Sequence, residues 1–290
     1  MNESDAISAI DDSAWSVVVT ARRDPLDLGV RELWRYRDLI ALFVRRNFVV
    51  YYRQTVLGPV WYVIQPLTTT AVFTVIFGLI AGIPTDRIAP TLFYMSGVII
   101  WSNFSANVVM TSDVFIANSA MFGKVYFPRL AVPIATVFTN FISLALQLAV
   151  FVVLYAVEVS VGRAQPPSLA AIFVLPLFAI NALIALGFGL LFSGLTTRYR
   201  DLIQVLGFGI QLWMYATPVI YPLSQIPERW RILAALNPVS TTIELFRLFA
   251  FGNGTVSATQ IAVSAVAAAA VLFAGLATFN KAAMKAADTV

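Results

Sequence analysis

The sequence predicts an all-α integral membrane protein: six transmembrane helices, an amphipathic interface helix before the first, and a re-entrant pair of helices between the fifth and sixth. Three observations carry that prediction. The 290 residues are 59% hydrophobic and 12% charged, with mean hydropathy +0.82, whereas a soluble domain carries about 25% charged residues. Six charge-free windows, at 54–85, 88–112, 130–157, 164–197, 202–227 and 248–280, each exceed the ~20 residues that cross ~30 Å of hydrocarbon. None alternates like a barrel strand, and backbone amides in lipid must be satisfied within their own segment, so the windows read as helices. Finally, with the N-terminus inside, 14 of the 19 Lys and Arg fall on the inner side, which places both termini in the cytoplasm.

Taken in order, residues 1–57 read as a cytoplasmic segment and 58–290 as the membrane domain. The chain starts acidic, with Glu3, Asp5, Asp11 and Asp12 where a cleaved signal would carry positive charge, so none is predicted. Over 31–53, Arg31, Arg35, Asp38, Arg45, Arg46 and Arg53 share one arc at ~100° per residue, and Tyr36, Leu39, Ile40, Phe43, Val44, Phe48, Val50 and Tyr51 occupy the other. That is the pattern of a cationic helix lying at a membrane surface. The cluster Arg45, Arg46 and Arg53 reads either as topology and anionic-lipid contact or as a receptor for a pyrophosphate head group.

Two inner links follow. Residues 113–129 allow two or three turns of helix before Pro128, and 196–201 form a short link. The segment 221–254 is too interrupted by charge and proline to span, yet it is apolar. Within it Asn237 can cap a helix with Pro238 at its first position, running to a stop at Gly252, and Glu244 and Arg247, three apart, can pair as a clamp or a latch. A shorter helix near 227–235 completes a re-entrant hairpin, a form tolerated at membrane depth inside protein or beside a watery path.

Polar residues within spans, Asn140, Gln147, Gln204 and Gln211, read as interhelical hydrogen bonds. Trp61, Tyr62, Trp101, Phe104, Trp213, Tyr215 and Tyr221 read as an interfacial aromatic belt or as flat faces lining a path through the protein.

Several function classes are excluded. With no Cys and no His there is no thiolate, disulfide or imidazole chemistry. Beyond residue 38 the acids are Asp86, Asp113, Glu158, Asp201, Glu228, Glu244 and Asp288, scattered rather than paired for catalysis, and none sits mid-span for proton coupling. The one Gly-Lys pair, Gly123-Lys124, has Asn118 and Val125 where a phosphate loop needs Gly and Ser or Thr, so no ATP site is predicted in this chain. The net charge of +4 reflects membrane topology rather than nucleic-acid binding.

The strings YYRQTVLGPVWYVIQPL (51–67), VIIWSNF (98–104), KVYFPRLAVP (124–133), TTRYRD (196–201), YATPVIYPLSQIPERWR (215–231) and LNPVSTTIELFR (236–247) together resemble the permease subunit of ABC exporters of O-antigen, capsular and teichoic-acid polysaccharides. The resemblance implies a homodimer in a bacterial inner membrane, moving lipid-linked polysaccharide with two copies of a separate ATPase that holds ATP and Mg. It implies a coupling helix at 115–123, including Phe115 and Asn118 and anchored by Lys124, Tyr126, Phe127, Pro128 and Arg129. Lys124 and Arg129 also fit a purely topogenic role. External gate helices would carry Arg229, Trp230, Glu244 and Arg247. Two other readings stay open: a membrane-embedded enzyme acting on lipid-linked sugars, and a related ABC permease for a small drug or lipid.

Overall fold

A computed structural model describes residues 30–52, 57–122, 127–197, 199 and 201–288, and among these there is helix but no strand. The interface segment is two helices rather than one: α1 (Val30–Arg35) and α2 (Arg37–Tyr52), joined at Tyr36. Its predicted apolar face does not lie wholly on lipid. Leu33, Tyr36, Leu39, Ile40, Phe43 and Val44 pack on Phe127, Ala131, Val132 and Ala135, while Val50 stays exposed.

The first span is continuous over Gly58–Ile80, built from a 3₁₀ turn at Gly58–Val60, α3 (Trp61–Phe73) and a π-helical stretch at Thr74–Ile80. Next come α4 (Pro90–Ser112), two single turns α5 (Val114–Ala117) and α6 (Ser119–Phe122), α7 (Ala131–Ser160) and α8 (Val174–Thr196), the last entered through a 3₁₀ turn at Leu169–Phe173. After these lie α9 (Leu202–Ala216), α10 (Glu228–Leu236), α11 (Pro238–Phe251) and α12 (Ala258–Asp288). Five of these segments are long and apolar enough to cross a membrane.

Two boundaries differ from the sequence expectation. The fifth window was drawn to 227, but α9 ends at Ala216, 15 residues and ~22 Å long. Thr217 is extended there, and the rest of the window folds as turns. The sixth was drawn from 248, but 248–251 finish α11 and the span starts at Ala258. The hairpin itself forms where the caps predicted it. Asn237 Oδ1 accepts from Val239 N at 3.2 Å, Pro238 opens α11, and Gly252 closes it in the left-handed region with φ 73°; α10 and α11 meet at 107°.

Most of α4 is buried, so it is the central helix, whereas the first span is largely uncovered. An asparagine ladder ties the centre together. Asn140 Nδ2 of α7 donates to Asn107 Oδ1 at 2.9 Å, and Asn181 Nδ2 of α8 donates to Asn103 Oδ1 at 3.3 Å and to the Ile100 carbonyl at 3.2 Å. Ser102 adds a bond to Gln147 Oε1 at 3.1 Å, so Asn140 and Gln147 do bridge helices as read from sequence. Gln204 and Gln211 do not; both are exposed on α9.

The closest helix crossing is α8 on α12, where a Cβ built on Gly275 would lie 2.2 Å from the Gly187 carbonyl oxygen, and one on Gly187 would lie 2.9 Å from Leu272 Cα. Backbone meets backbone there, the packing that small residues permit between membrane helices. Gly187→Ala or Gly275→Ala must push the helices apart, an overpacking cost of about 1–3 kcal/mol. Thermal unfolding in detergent should show a clear drop for either, and an unchanged midpoint would contradict the crossing.

Candidate functional site

The candidate residues fall on three levels. By connectivity, α1, α2, the 113–129 link and the end of α12 share one face of the bundle, here the basic face, and the α10–α11 hairpin lies at the opposite face.

On the basic face, the expected helix at 115–123 is two single turns broken at Asn118, whose Nδ2 donates to the Val114 carbonyl at 3.0 Å. Phe115 is not presented outward. It is buried and stacked on Phe279 of α12 at 4.8 Å between centroids, with Phe122 at 5.7 Å. Phe122 stacks on Phe127 at 5.5 Å, and Phe127 meets Phe43 of α2 at 5.6 Å. The run Phe43, Phe127, Phe122, Phe115, Phe279 therefore joins the interface helix to the last span through the link, each contact in the range of favourable aromatic pairs. Arg129 donates to the Ala283 carbonyl and lies over the Phe122 ring, and Pro128 is buried beside it. Ala117, Ser119 and Ala120 are the exposed residues of the two turns. Burial pushes the Asp113 carboxyl above the usual carboxylate range.

Arg45 and Arg46, grouped by sequence, separate in space. Arg45 is exposed. Arg46 reaches the link: its Nη2 donates to Asn118 Oδ1 at 3.2 Å and to Asn47 Oδ1 at 3.2 Å, and its guanidinium lies over Phe43 at 5.1 Å. No sequence signal pointed to that pairing, 72 residues apart. Arg53, Lys124 and Tyr126 lie outside the described residues.

At the middle level, Trp101 and Phe104 are interior. Phe104 has no exposed surface and meets Trp213 at 5.3 Å and Phe188 at 5.9 Å; Trp101 lies 6.1 Å from Trp213. This cluster glues α9 to α4 and α8. Trp61 and Tyr62 lie instead at the basic-face end of the first span, and Tyr215 and Tyr221 at and just past the far end of α9; Trp61 and Tyr215 are about half exposed, Tyr62 and Tyr221 partly so, and the Tyr221 hydroxyl donates to the Tyr215 carbonyl at 3.2 Å. α9 is two-faced. Leu206 and Ile210 are buried, and opposite them Gln204, Phe208, Gln211 and Tyr215, spaced 4, 3 and 4 residues, form one exposed stripe.

On the opposite face, Arg229 and Trp230 are exposed on α10, with the guanidinium over the indole at 5.8 Å. Glu244 and Arg247 are fully enclosed. Arg247 Nη1 donates to Glu244 Oε1 at 2.9 Å and to the Pro218 carbonyl at 2.9 Å; Nη2 reaches the Val219 carbonyl at 3.2 Å and the Phe93 carbonyl at 3.5 Å; Nε reaches Ser96 Oγ at 3.4 Å. All five guanidinium N–H groups thus have an acceptor, and the group stacks 3.6 Å from the Phe93 ring centre. Glu244 Oε1 also accepts from Leu223 N at 3.3 Å. A pair so enclosed is a clamp across α4, the 217–223 crossing and α11, not a surface that solvent reaches. Among the described residues, no group of three Asp or Glu is placed to hold a metal ion.

An all-helical bundle of apolar spans, with a basic link region at one end and a folded hairpin at the other, is the architecture of a multi-pass membrane permease. The chain belongs to the ABC-2 type transporter family, whose model matches residues 38–251. It is 29% identical over 245 residues to an O-antigen export system permease protein RfbA of Klebsiella pneumoniae, covering 84% of this chain and 92% of that one. It is also 27% identical over 259 residues to the protein of that name from Myxococcus xanthus, covering 87% of this chain and 95% of the relative. It is therefore the membrane-spanning subunit of an ABC transporter, whose family works with an ATP-binding-cassette ATPase.

Removing Arg247 alone strands Glu244 in the interior, a loss of about 3–5 kcal/mol. Arg247→Met should sharply lower the detergent unfolding midpoint, and Arg247→Met with Glu244→Gln should recover part of it. A double-variant loss equal to the sum of the losses from Arg247→Met alone and Glu244→Gln alone would show that the two side chains are not coupled.

Proposed function

We propose that this chain, as a homodimer with two ATPase subunits, exports a lipid-linked polysaccharide of the O-antigen class across a bacterial cytoplasmic membrane, with the basic face inward. The relatives named for O-antigen export support the substrate class. The observation that carries the reading is the exposed stripe Gln204, Phe208, Gln211 and Tyr215 on α9. Amides facing plain hydrocarbon are costly, so this face needs a wet or polar neighbour. Amide and aromatic side chains alternate along it, and these groups hydrogen-bond sugar hydroxyls and stack on ring faces. Such a stripe can grip a glycan without fixing it, and Trp61, Tyr62 and Tyr221, each at least partly exposed, are further aromatic faces open to a sugar ring. Trp101, Phe104 and Trp213, in contrast, hold the stripe's helix in place.

At the basic face, Arg31, Arg35, Arg37 and Arg45 are exposed and collect the anionic head group of the carrier lipid. Arg46 has another task. Its bond to Asn118 joins the interface helix to the link that receives the ATPase, so a push on Ala117–Ala120 passes through Arg46 and the Phe43–Phe279 aromatic run to both ends of the chain. The α10–α11 hairpin closes the far mouth, with Arg229 and Trp230 at its rim. The interface segment from 31 to 57 then serves the inner surface and 58–290 the path.

The decisive test is reconstitution with the partner ATPase: lipid-linked glycan should enter vesicles only with hydrolysable nucleotide, and no entry by folded complex would overturn the reading. Gln211→Leu and Tyr215→Ala should each slow export by about five-fold, the effect of one hydrogen bond or stacking contact, while leaving complex assembly intact. Unchanged rates would remove α9 from the path. Arg46→Ala and Asn118→Ala should each weaken the coupling of ATP hydrolysis to transport, and the double variant should be no worse than either, as expected for one shared bond.

A further inference from the structure

The link between the first span and α4 contains backbone that its sequence does not favour. Ile88 N donates to the Thr85 carbonyl at 2.9 Å, and the two residues between them, Asp86 (φ 49°) and Arg87 (φ 64°), are both in the left-handed region. That is the φ signature of a type I′ turn, for which Asn-Gly or Asp-Gly is the easy sequence. Asp tolerates the first position, but Arg at the second is strained, and strain persists only where other contacts over-determine it. Here they do: Thr85 Oγ1 donates to the Ile88 carbonyl at 2.6 Å, Ile88 is buried, and the Asp86 carboxylate accepts from Ser224 Oγ at 2.9 Å.

Ser224 lies in the 3₁₀ turn Leu223–Gln225 that leads into the hairpin, and this turn is fixed to the hairpin on two sides. Leu223 N donates to Glu244 of α11, while Arg231 of α10 donates to the Ser224 carbonyl at 3.1 Å and to the Ile226 carbonyl at 2.9 Å. Whatever pulls Ser224 therefore moves the hairpin as a unit. On the other side, Asp86 follows the first span, which like α12 is largely uncovered, and whose last seven residues Thr74–Ile80 form a π-helix. Wide π turns in helices are rare departures from regular pairing and are frequent at functional sites.

We propose that Asp86 and Ser224 are positioning residues that latch the first span to the α10–α11 hairpin, so that a shift of this span at its π segment opens or closes the far mouth. The proposal rests on the hairpin being the closing element in the reading above. It assigns to an otherwise unremarked loop the connection between a movable span and the mouth. Its carboxylate gives Asp86 an acceptor role that Gly, equally at home at positive φ, does not supply.

The test needs no glycan and so separates this proposal from the substrate reading. The full-length protein, in complex with its ATPase, is placed without nucleotide in calcein-loaded vesicles of phosphatidylethanolamine and phosphatidylglycerol. Asp86→Gly keeps the positive φ that the turn needs and removes the acceptor; Ser224→Ala removes the donor. Each should speed dye release about five-fold, the population shift from one ordinary hydrogen bond, and the double variant should leak no faster. Asp86→Asn, which keeps both an acceptor oxygen and tolerance for positive φ, should stay tight. Since the chain has no native cysteine, Asp86→Cys with Ser224→Cys, bridged by a short bis-thiosulfonate, gives a second arm. Bridging should restore tightness and reductant should abolish it. Asp86→Gly as tight as the unaltered protein, additive leaks, or a bridge that does not restore tightness would each overturn the latch, whether or not the unaltered protein moves glycan.

Discussion

A guanidinium enclosed among apolar helices sets the terms for the rest of this structure. Burying one charge costs several kcal/mol unless every donor is answered, and Arg247 draws its answers from three separate elements: Glu244 on its own helix, Phe93 and Ser96 on α4, and the carbonyls of Pro218 and Val219. Pro218 and Val219 lie past the end of α9, where their carbonyls are not engaged by the next turn of a helix and stand open to Arg247. The shortness of α9, the crossing of 217–223 over α4, and the return of the chain as a bent hairpin thus form one mutually dependent arrangement. Gly97 permits it, since a Cβ there would lie 3.1 Å from the Val219 backbone.

The two ends of the bundle are held by different physics. At the hairpin end, side chains bond backbone carbonyls and amides across elements, giving directional joints with few alternatives. At the basic end, a file of phenylalanines links α2, the 113–129 link and α12 by ring contacts rather than hydrogen bonds. Between them the asparagine ladder fixes α4, α7 and α8 in register. The block held this way is continuous from one end to the other, and α9 is tied to it by Trp213 against Trp101, Phe104 and Phe188.

How much of this was legible depends on the range of the interaction. The α11 caps, the Gly252 stop and the Glu244–Arg247 pair sit within a few residues of one another, and three-residue spacing on a helix brings such a pair together whatever surrounds it. The meeting of Arg46 with Asn118 depends on how α2 docks on α7, which no local pattern encodes. Gln204 and Gln211 look like Asn140 and Gln147 in sequence, apolar neighbours included. Only the packing of Leu206 and Ile210 turns them outward, away from any partner helix. Likewise Phe104 and Tyr215 carry similar rings, and their depth, not their type, separates a structural aromatic from an accessible one.

The sequence by itself determined that this chain crosses a membrane repeatedly as helices, where it turns back on itself, and that it carries no paired acids, thiols or imidazoles for chemistry. Those properties follow from composition and short-range spacing, since the bilayer imposes one length and one way of satisfying the backbone. Tertiary structure alone decided which polar groups are spent inside the protein and which face outward, where the fifth helix stops, and that a strained turn at Asp86 touches Ser224, 138 residues away. Pairings at that separation depend on how whole helices pack, and packing is a property of all the faces at once rather than of any segment read alone.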